Sequence, residues 1–242
     1  MNKIKELKIK IFADGADIKS IENLNSKQHI KGFTTNPTLM RKSGILDYKG
    51  FALDVLKIVK EKPISFEVFA DSFEEMESQA MEIHSWGVNA NVKIPITNTK
   101  GKSSEKLIEK LSNLGVTCNI TAIFTLEQLN GVLKVLNSKT PAILSVFAGR
   151  IADMGIDPMK IIKDSVDLAK VKPKAEILWA STREVLNIFQ AEATGCQIIT
   201  VPHDILKKFE NINNNFEKNS LDTVSMFYKD AKAANFKIST KK

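Results

Sequence analysis

Lys93 stands inside an apolar, β-branched run, residues 88–97, of the kind that forms a strand buried on both faces in a parallel sheet. Burying an ammonium without a partner costs several kcal/mol, and the usual escape is a lowered pKa and a neutral amine. A neutral amine is a nucleophile that forms Schiff bases with carbonyl compounds, so one reading of Lys93 is an imine-forming residue. The other is a strand-end lysine that snorkels to water past Pro95.

An amine of this kind acts only where the fold sets other groups against it. Short β-rich runs alternate with longer amphipathic ones along the chain. The pattern predicts strands over 7–13, 30–34, 64–70, 88–94, 116–120, 142–146, 175–180 and 197–201. Helices are expected over 18–24, 48–60, 73–86, 103–114, 126–136, 157–171 and 184–194, then over 204–209 and 221–234. Eight strands alternating with helices in 242 residues is the pattern of an α/β (β/α)8 barrel of the TIM type, with a doubly wound open sheet as the alternative. Asp17 is placed to cap the first helix, and Gly87, Gly115 and Gly195 fall where a left-handed C-cap is needed.

In a barrel, chemistry collects at the C-terminal ends of the strands. The polar residues there form one set: Asp14 after the first strand, Asn36 after the second, Glu67 on the third and Lys93 on the fourth. The fifth adds Asn119 and Thr121, the sixth Ser145, Phe147 and Arg150, and the seventh Ser181 and Arg183. An amine, two carboxylates, amides and hydroxyls suited to a polyol, and two arginines suited to a phosphate are chemically coherent.

Composition narrows the classes. A 43% hydrophobic content over 242 residues is enough for one full core, and the Asn-rich segment 210–220 is too short and too near the end to divide comparable domains. The net charge of +7 sits at the termini: four lysines against one glutamate in residues 1–10, three lysines and no acid in residues 237–242. With no aromatic interleaving, this is not the footprint of a nucleic-acid binder. Cys118 and Cys196 in apolar runs, an N-terminus without an apolar leader core and no run long enough for a bilayer predict a reduced, cytoplasmic protein with no membrane partner. No glycine-rich nucleotide loop occurs, and His29, His84 and His203, the second expected mid-helix, lack metal-ligand spacing, so neither a cofactor nor a metal is expected.

Five segments in order, Phe33-Thr34-Thr35-Asn36-Pro37-Thr38-Leu39, Asn91-Val92-Lys93-Ile94-Pro95, Cys118-Asn119-Ile120-Thr121, Phe147-Ala148-Gly149-Arg150-Ile151 and Ala180-Ser181-Thr182-Arg183, resemble the transaldolase family. The chain length is similar to that of the small subfamily that also holds fructose-6-phosphate aldolases. The resemblance implies that Lys93 forms the Schiff base, that Asp14 moves the C4 hydroxyl proton, and that Glu67 and Thr121 hold a water for proton relay. It further implies that Asn36, Asn119 and Ser145 bind substrate hydroxyls beside Phe147, and that Arg150, Ser181 and Arg183 clamp a phosphate. Glu67 and Phe147 match the transaldolase pair, where the aldolases carry glutamine and tyrosine. Thr182 departs from the family, whose members more often have an aromatic residue there, which bears on acceptor preference. The implied reaction is transfer of a dihydroxyacetone unit between phosphorylated sugars in the pentose phosphate pathway, and it needs no metal, because the iminium itself is the electron sink. A lysine-dependent aldolase of fructose 6-phosphate or another sugar phosphate and a barrel that only binds phosphosugars are the alternatives. Residues 221–234 are expected to form an amphipathic C-terminal helix at the end of a single domain, 1–242. Small members of the resembled family use this helix to grip a neighbour, so a homo-oligomer is expected, with docking of the helix on the protein's own barrel as the alternative.

Overall fold

The computed structural model describes residues 6–212 and 215–240. The chain divides into two compact units, one ending at Lys207 and one beginning at Lys208.

In the first unit β1 (Lys10–Asp14), β2 (Ile30–Thr34), β3 (Ile64–Glu67), β4 (Ala90–Pro95), β5 (Cys118–Ile123), β6 (Ala142–Val146), β7 (Ala175–Trp179) and β8 (Ile198–Pro202) pair in chain order, and β8 closes on β1. Every pairing is parallel. Around them lie α1 (Ile18–Asn25), α2 (Pro37–Lys42), α3 (Tyr48–Ile58), α4 (Phe73–Ser85), α5 (Glu105–Asn113), α6 (Leu126–Val135), α7 (Ala148–Asp153), α8 (Met159–Ala169), α9 (Leu186–Ala193) and α10 (His203–Leu206). This is the (β/α)8 barrel; the open sheet is excluded by the β1–β8 ladder.

Strand alternation sorts the side chains. On β4, Lys93 points into the barrel, so Val92 and Ile94, both fully buried, face the helix layer. Each such aliphatic side chain contributes about 1.5–3 kcal/mol by leaving water. Inside the barrel, Phe12, Ile143, Leu178, Ala180 and Ile198 form an apolar plug with Phe147 packed on it. Phe12, Ile143 and Ile198 border a cavity at the N-terminal mouth, whereas Leu178, Ala180 and Phe147 border one at the C-terminal mouth. The plug therefore separates the two ends.

Local differences from the expected elements have identifiable causes. β1 starts at Lys10 rather than at residue 7, because the Lys8 and Ile9 amides donate to the Glu192 carboxylate at 3.1 and 2.8 Å instead of to a strand. β3 stops at Glu67 rather than at residue 70, since Gln79 Oε1 takes the Phe69 and Ala70 amides at 2.8 and 3.0 Å. Two short helices, α2 and α7, follow β2 and β6 where only loops were expected. Gly115 and Gly195 do adopt left-handed φ, 83° and 76°, but Gly87 does not, and α4 is closed by Trp86 at φ −72°. His84 lies in the last turn of α4, not mid-helix.

The second unit opens with a 3-10 turn, Lys207–Asn211, which starts on the last residue of the first. It continues with α11 (Phe216–Ala233), five residues earlier than the expected start at 221, because the Asn215 side chain accepts from the Glu217 amide at 2.7 Å and caps it. Part of the expected linker is thus helical, while Asn213 and Asn214 lie outside the described residues. No helix among the described residues is long and apolar enough to cross a membrane. Cys118 and Cys196 are free and buried, and burial pushes both thiols up to about 12.

Candidate active site

Register places the centre. Glu67 pairs with Lys93 across β3 and β4, and Lys93 pairs with Asn119 across β4 and β5, so the three side chains share one layer inside the barrel. Lys93 is only 8% exposed. Its Nζ lies 3.0 Å from Glu67 Oε2 and donates to the Thr35 carbonyl at 3.2 Å. The lysine does not snorkel out past Pro95; it is retained inside the barrel by these two partners.

Asp14 ends β1 opposite Thr34. Thr34 Oγ1 donates to Asp14 Oδ1 at 2.8 Å and lies 2.5 Å from Thr200 Oγ1. A hydroxyl has one proton, so with Thr34 donating to Asp14, Thr200 donates to Thr34. Burial raises the Asp14 carboxyl above its ordinary range; the Lys93 charge and the Thr34 hydrogen bond oppose this, and Glu67 adds to it. A carboxylate held in this way is a stronger base than an exposed one.

On β5, Thr121 Oγ1 is buried without a hydrogen-bond partner among the described residues. A buried orphan hydroxyl in a polar cavity is a seat for water or ligand. The next residue, Ala122, has φ 61° within a register shift between Ile120 and Ile123. Ser181 has φ 62°, and both of these strained non-glycine residues line the same cavity.

Asn119 is fully buried, with Nδ2 donating to Ser65 Oγ at 3.0 Å and Oδ1 accepting from Ser145 Oγ at 2.6 Å. It does not border the cavity but stands behind Ser145 and aims that hydroxyl. Asn36 caps α2, its Oδ1 accepting from the Leu39 amide at 3.0 Å, which leaves its amide protons for other partners.

Phe147 precedes α7, its ring centroid 5.7 Å from that of Phe124, and the Arg150 guanidinium carbon sits 5.6 Å from the Phe147 centroid. Gly149 is required here because a Cβ would overlap the Ser181 carbonyl. Arg183 is paired with Asp153 on α7, and the hydrogen bond from Arg183 holds the Asp153 carboxyl below its usual range.

Apart from Asn119, every predicted site residue borders one cavity of about 730 Å3 at the C-terminal mouth: Asp14, Asn36, Glu67, Lys93, Thr121, Ser145, Phe147, Arg150, Ser181 and Arg183. Lys42, Phe124 and Thr200 border it as well. Thr200 could have been found as a polar residue near the end of the eighth strand; Lys42 lies on α2, which the sequence pattern does not reveal. Thr182 donates to the Thr200 carbonyl at 2.7 Å. The cavity of about 610 Å3 at the other mouth contains none of these residues. Among the described residues, no group of three or more His, Cys, Asp or Glu side chains is arranged to hold a metal ion.

Solved structures share the fold. KGPDC from Streptococcus mutans superposes with a TM-score of 0.55 at 9% identity, covering 82% of this chain and 90% of its own. Orotidine 5'-monophosphate decarboxylase from Metallosphaera sedula gives 0.53 at 13%, covering 84% and 96%. Sequence relatives are nearer. A "Probable transaldolase" of Dehalococcoides mccartyi is 38% identical over 200 residues, 82% of this chain and 88% of its own. One of Thermoplasma volcanium is 35% identical over 203 residues, 82% and 86% of the two chains. The family model for Transaldolase/Fructose-6-phosphate aldolase matches residues 11–241, nearly the whole chain, so this protein belongs to the transaldolase/fructose-6-phosphate aldolase family.

Proposed function

We propose that the protein is a transaldolase that moves a dihydroxyacetone unit through an imine on Lys93. The donor is a ketose phosphate, sedoheptulose 7-phosphate or fructose 6-phosphate; the acceptor is an aldose phosphate, glyceraldehyde 3-phosphate or erythrose 4-phosphate. The observation that carries this reading is a buried amine 3.0 Å from a carboxylate, in one cavity with a second, desolvated carboxylate and an unpartnered hydroxyl.

Lys93 passes a proton to Glu67 and attacks the C2 carbonyl, giving a carbinolamine. A water between Glu67 and Thr121 returns the proton to the departing hydroxyl, and water and a protonated imine result. Asp14 then takes the proton of the C4 hydroxyl. The C3–C4 bond breaks, its electron pair moves into the iminium, and the aldose leaves as an aldehyde. Asn36 and Ser145, the latter aimed by Asn119, hold the hydroxyls of the remaining enamine. The second aldehyde enters, and the enamine carbon attacks its carbonyl carbon to form the new C–C bond and regenerate the iminium. Asp14 returns its proton to the resulting alkoxide, and hydrolysis of the imine by water frees Lys93. Arg150, Ser181 and Arg183 bind the phosphate. This is chemistry of the pentose phosphate pathway, and a cytoplasmic homo-oligomer is the form proposed for it.

The second reading is a fructose-6-phosphate aldolase, in which a proton reaches the enamine and free dihydroxyacetone is released. Phe147 favours the transferase, because its ring has no acidic proton for the enamine. A coupled assay separates the two: turnover of fructose 6-phosphate that requires erythrose 4-phosphate is the expected result, and acceptor-free release would support the aldolase. Borohydride reduction with fructose 6-phosphate should attach a three-carbon unit at Lys93, and Lys93→Ala should abolish it. Labelling of a different lysine would overturn the assignment.

A further inference from the structure

Glu67 is the last residue of β3, and the strand that should support it has already ended. The β2–β3 ladder holds only the pairs Phe33–Ile64 and Thr34–Ser65, extended by the Thr35 amide donating to the Ser65 carbonyl at 3.2 Å. The peptide groups of Ser65 face β2, and Val68 faces β4, its amide donating to the Lys93 carbonyl at 3.0 Å. By alternation the N–H and C=O of Glu67 face β2 as well, where the chain has turned into α2 and, among the described residues, the ladder offers no further backbone partner. Unpaired backbone groups at such a position would let the strand end shift.

One side chain fills both vacancies. The Tyr48 hydroxyl, from the first residue of α3, donates to the Glu67 carbonyl at 2.7 Å and accepts from the Glu67 amide at 2.8 Å. Burial raises the Tyr48 phenol well above its usual range, so it remains the neutral hydroxyl that both bonds require. Its ring is fixed in turn by Phe69, with centroids 5.3 Å apart at 65°, and by Trp86 at 6.0 Å.

We propose that Tyr48 is a positioning residue for the reaction: its hydroxyl replaces the missing strand partner and holds Glu67 at its 3.0 Å distance from Lys93. The inference rests on the reading of Glu67 as a proton-relay group. Without the hydroxyl, the carboxylate drifts relative to the amine, and carbinolamine dehydration slows while substrate binding, carried by the phosphate and polyol groups, does not. Misplacements of this kind reduce rates by about tenfold to a hundredfold.

The test is a double-mutant cycle on the full chain with Tyr48→Phe and Glu67→Ala. Tyr48→Phe should lower kcat about tenfold or more with KM little changed, and it should have no further effect in the Glu67→Ala background. An equal loss in both backgrounds would mean that Tyr48 acts elsewhere and would overturn the proposal, as would wild-type turnover in Tyr48→Phe. Full activity in Glu67→Ala alone would instead overturn the relay reading on which the proposal depends, and the proposal with it. A second measurement survives a misfolded variant. The chain has two tyrosines, so Tyr228→Phe protein grown on 3-fluorotyrosine carries one label, at Tyr48. Its fluorine resonance should move when the imine at Lys93 is trapped by borohydride; an unmoved resonance would refute the coupling.

Discussion

Asp153 grips the Arg183 guanidinium at two points, Oδ1 to Nε at 3.1 Å and Oδ2 to Nη2 at 2.5 Å, on the arginine that the phosphate would need. Both side chains are about half exposed, 47% and 52%, so solvent screens the pair and a dianion can compete with the single carboxylate. Asp153→Asn should therefore lower KM for phosphorylated substrates on the order of a few-fold, most clearly at low ionic strength. Initial rates against substrate concentration decide it. A higher KM would show that Asp153 instead aims Arg183 at the phosphate.

Asp14 should set the acid limb of activity. It accepts a proton only when ionised, and burial raises its carboxyl, so kcat should fall as pH drops through a value above the ordinary carboxylate range. Asp14→Asn should lower kcat by about 10²–10⁴. Linkage gives a second sign. A carboxyl with a raised folded-state pKa binds its proton more tightly folded than unfolded, so its ionised form lowers stability above the raised pKa, and the penalty vanishes below the unfolded value. The Tm advantage of Asp14→Asn over the wild type should thus widen as pH rises through that window; a narrowing gap would contradict the buried-carboxylate reading.

Phe147 tests how the enamine is kept from water chemistry. Its ring lies against Phe124 and near Arg150 at the cavity wall. Phe147→Tyr combined with Glu67→Gln should raise acceptor-free release of dihydroxyacetone relative to transfer by about tenfold or more. An unchanged ratio would locate control of proton delivery at another residue.

The second unit tests assembly. No residue of α11 is buried, and Leu221, Val224, Met226, Phe227 and Tyr228 are exposed. Apolar groups on one helix call for cover, and a second copy of the chain is the occupant proposed. Light scattering of the full chain should show an oligomer, and truncation before Asn215, the residue that caps α11, should remove subunits. A monomer in both samples would refute this.

The sequence alone determined much of this protein. Alternation between period-two and helical patterns set the number and order of the strands, and β2 and β6 fall at their expected bounds, since each is a short apolar run with clear flanks. The types at the strand ends named the amine, the carboxylates and the arginines, because a barrel directs those positions to one mouth. Tertiary structure decided the rest. The helices α2 and α7 are six residues each, too short to show a period; α2 begins where Asn36 caps it, and the Gly149 amide reaches the Ala180 carbonyl at 3.1 Å, a strand away. Ala122 and Ser181 have positive φ although neither is a glycine or asparagine, so their type gives no sign of it. Periodicity states which face a side chain takes, but hydrogen-bonding capacity across the closed barrel states which partners it meets. Ser65 with Asn119, Arg183 with Asp153 and Tyr48 with the backbone of Glu67 are distant along the chain, and only register and closure bring each pair within bonding distance.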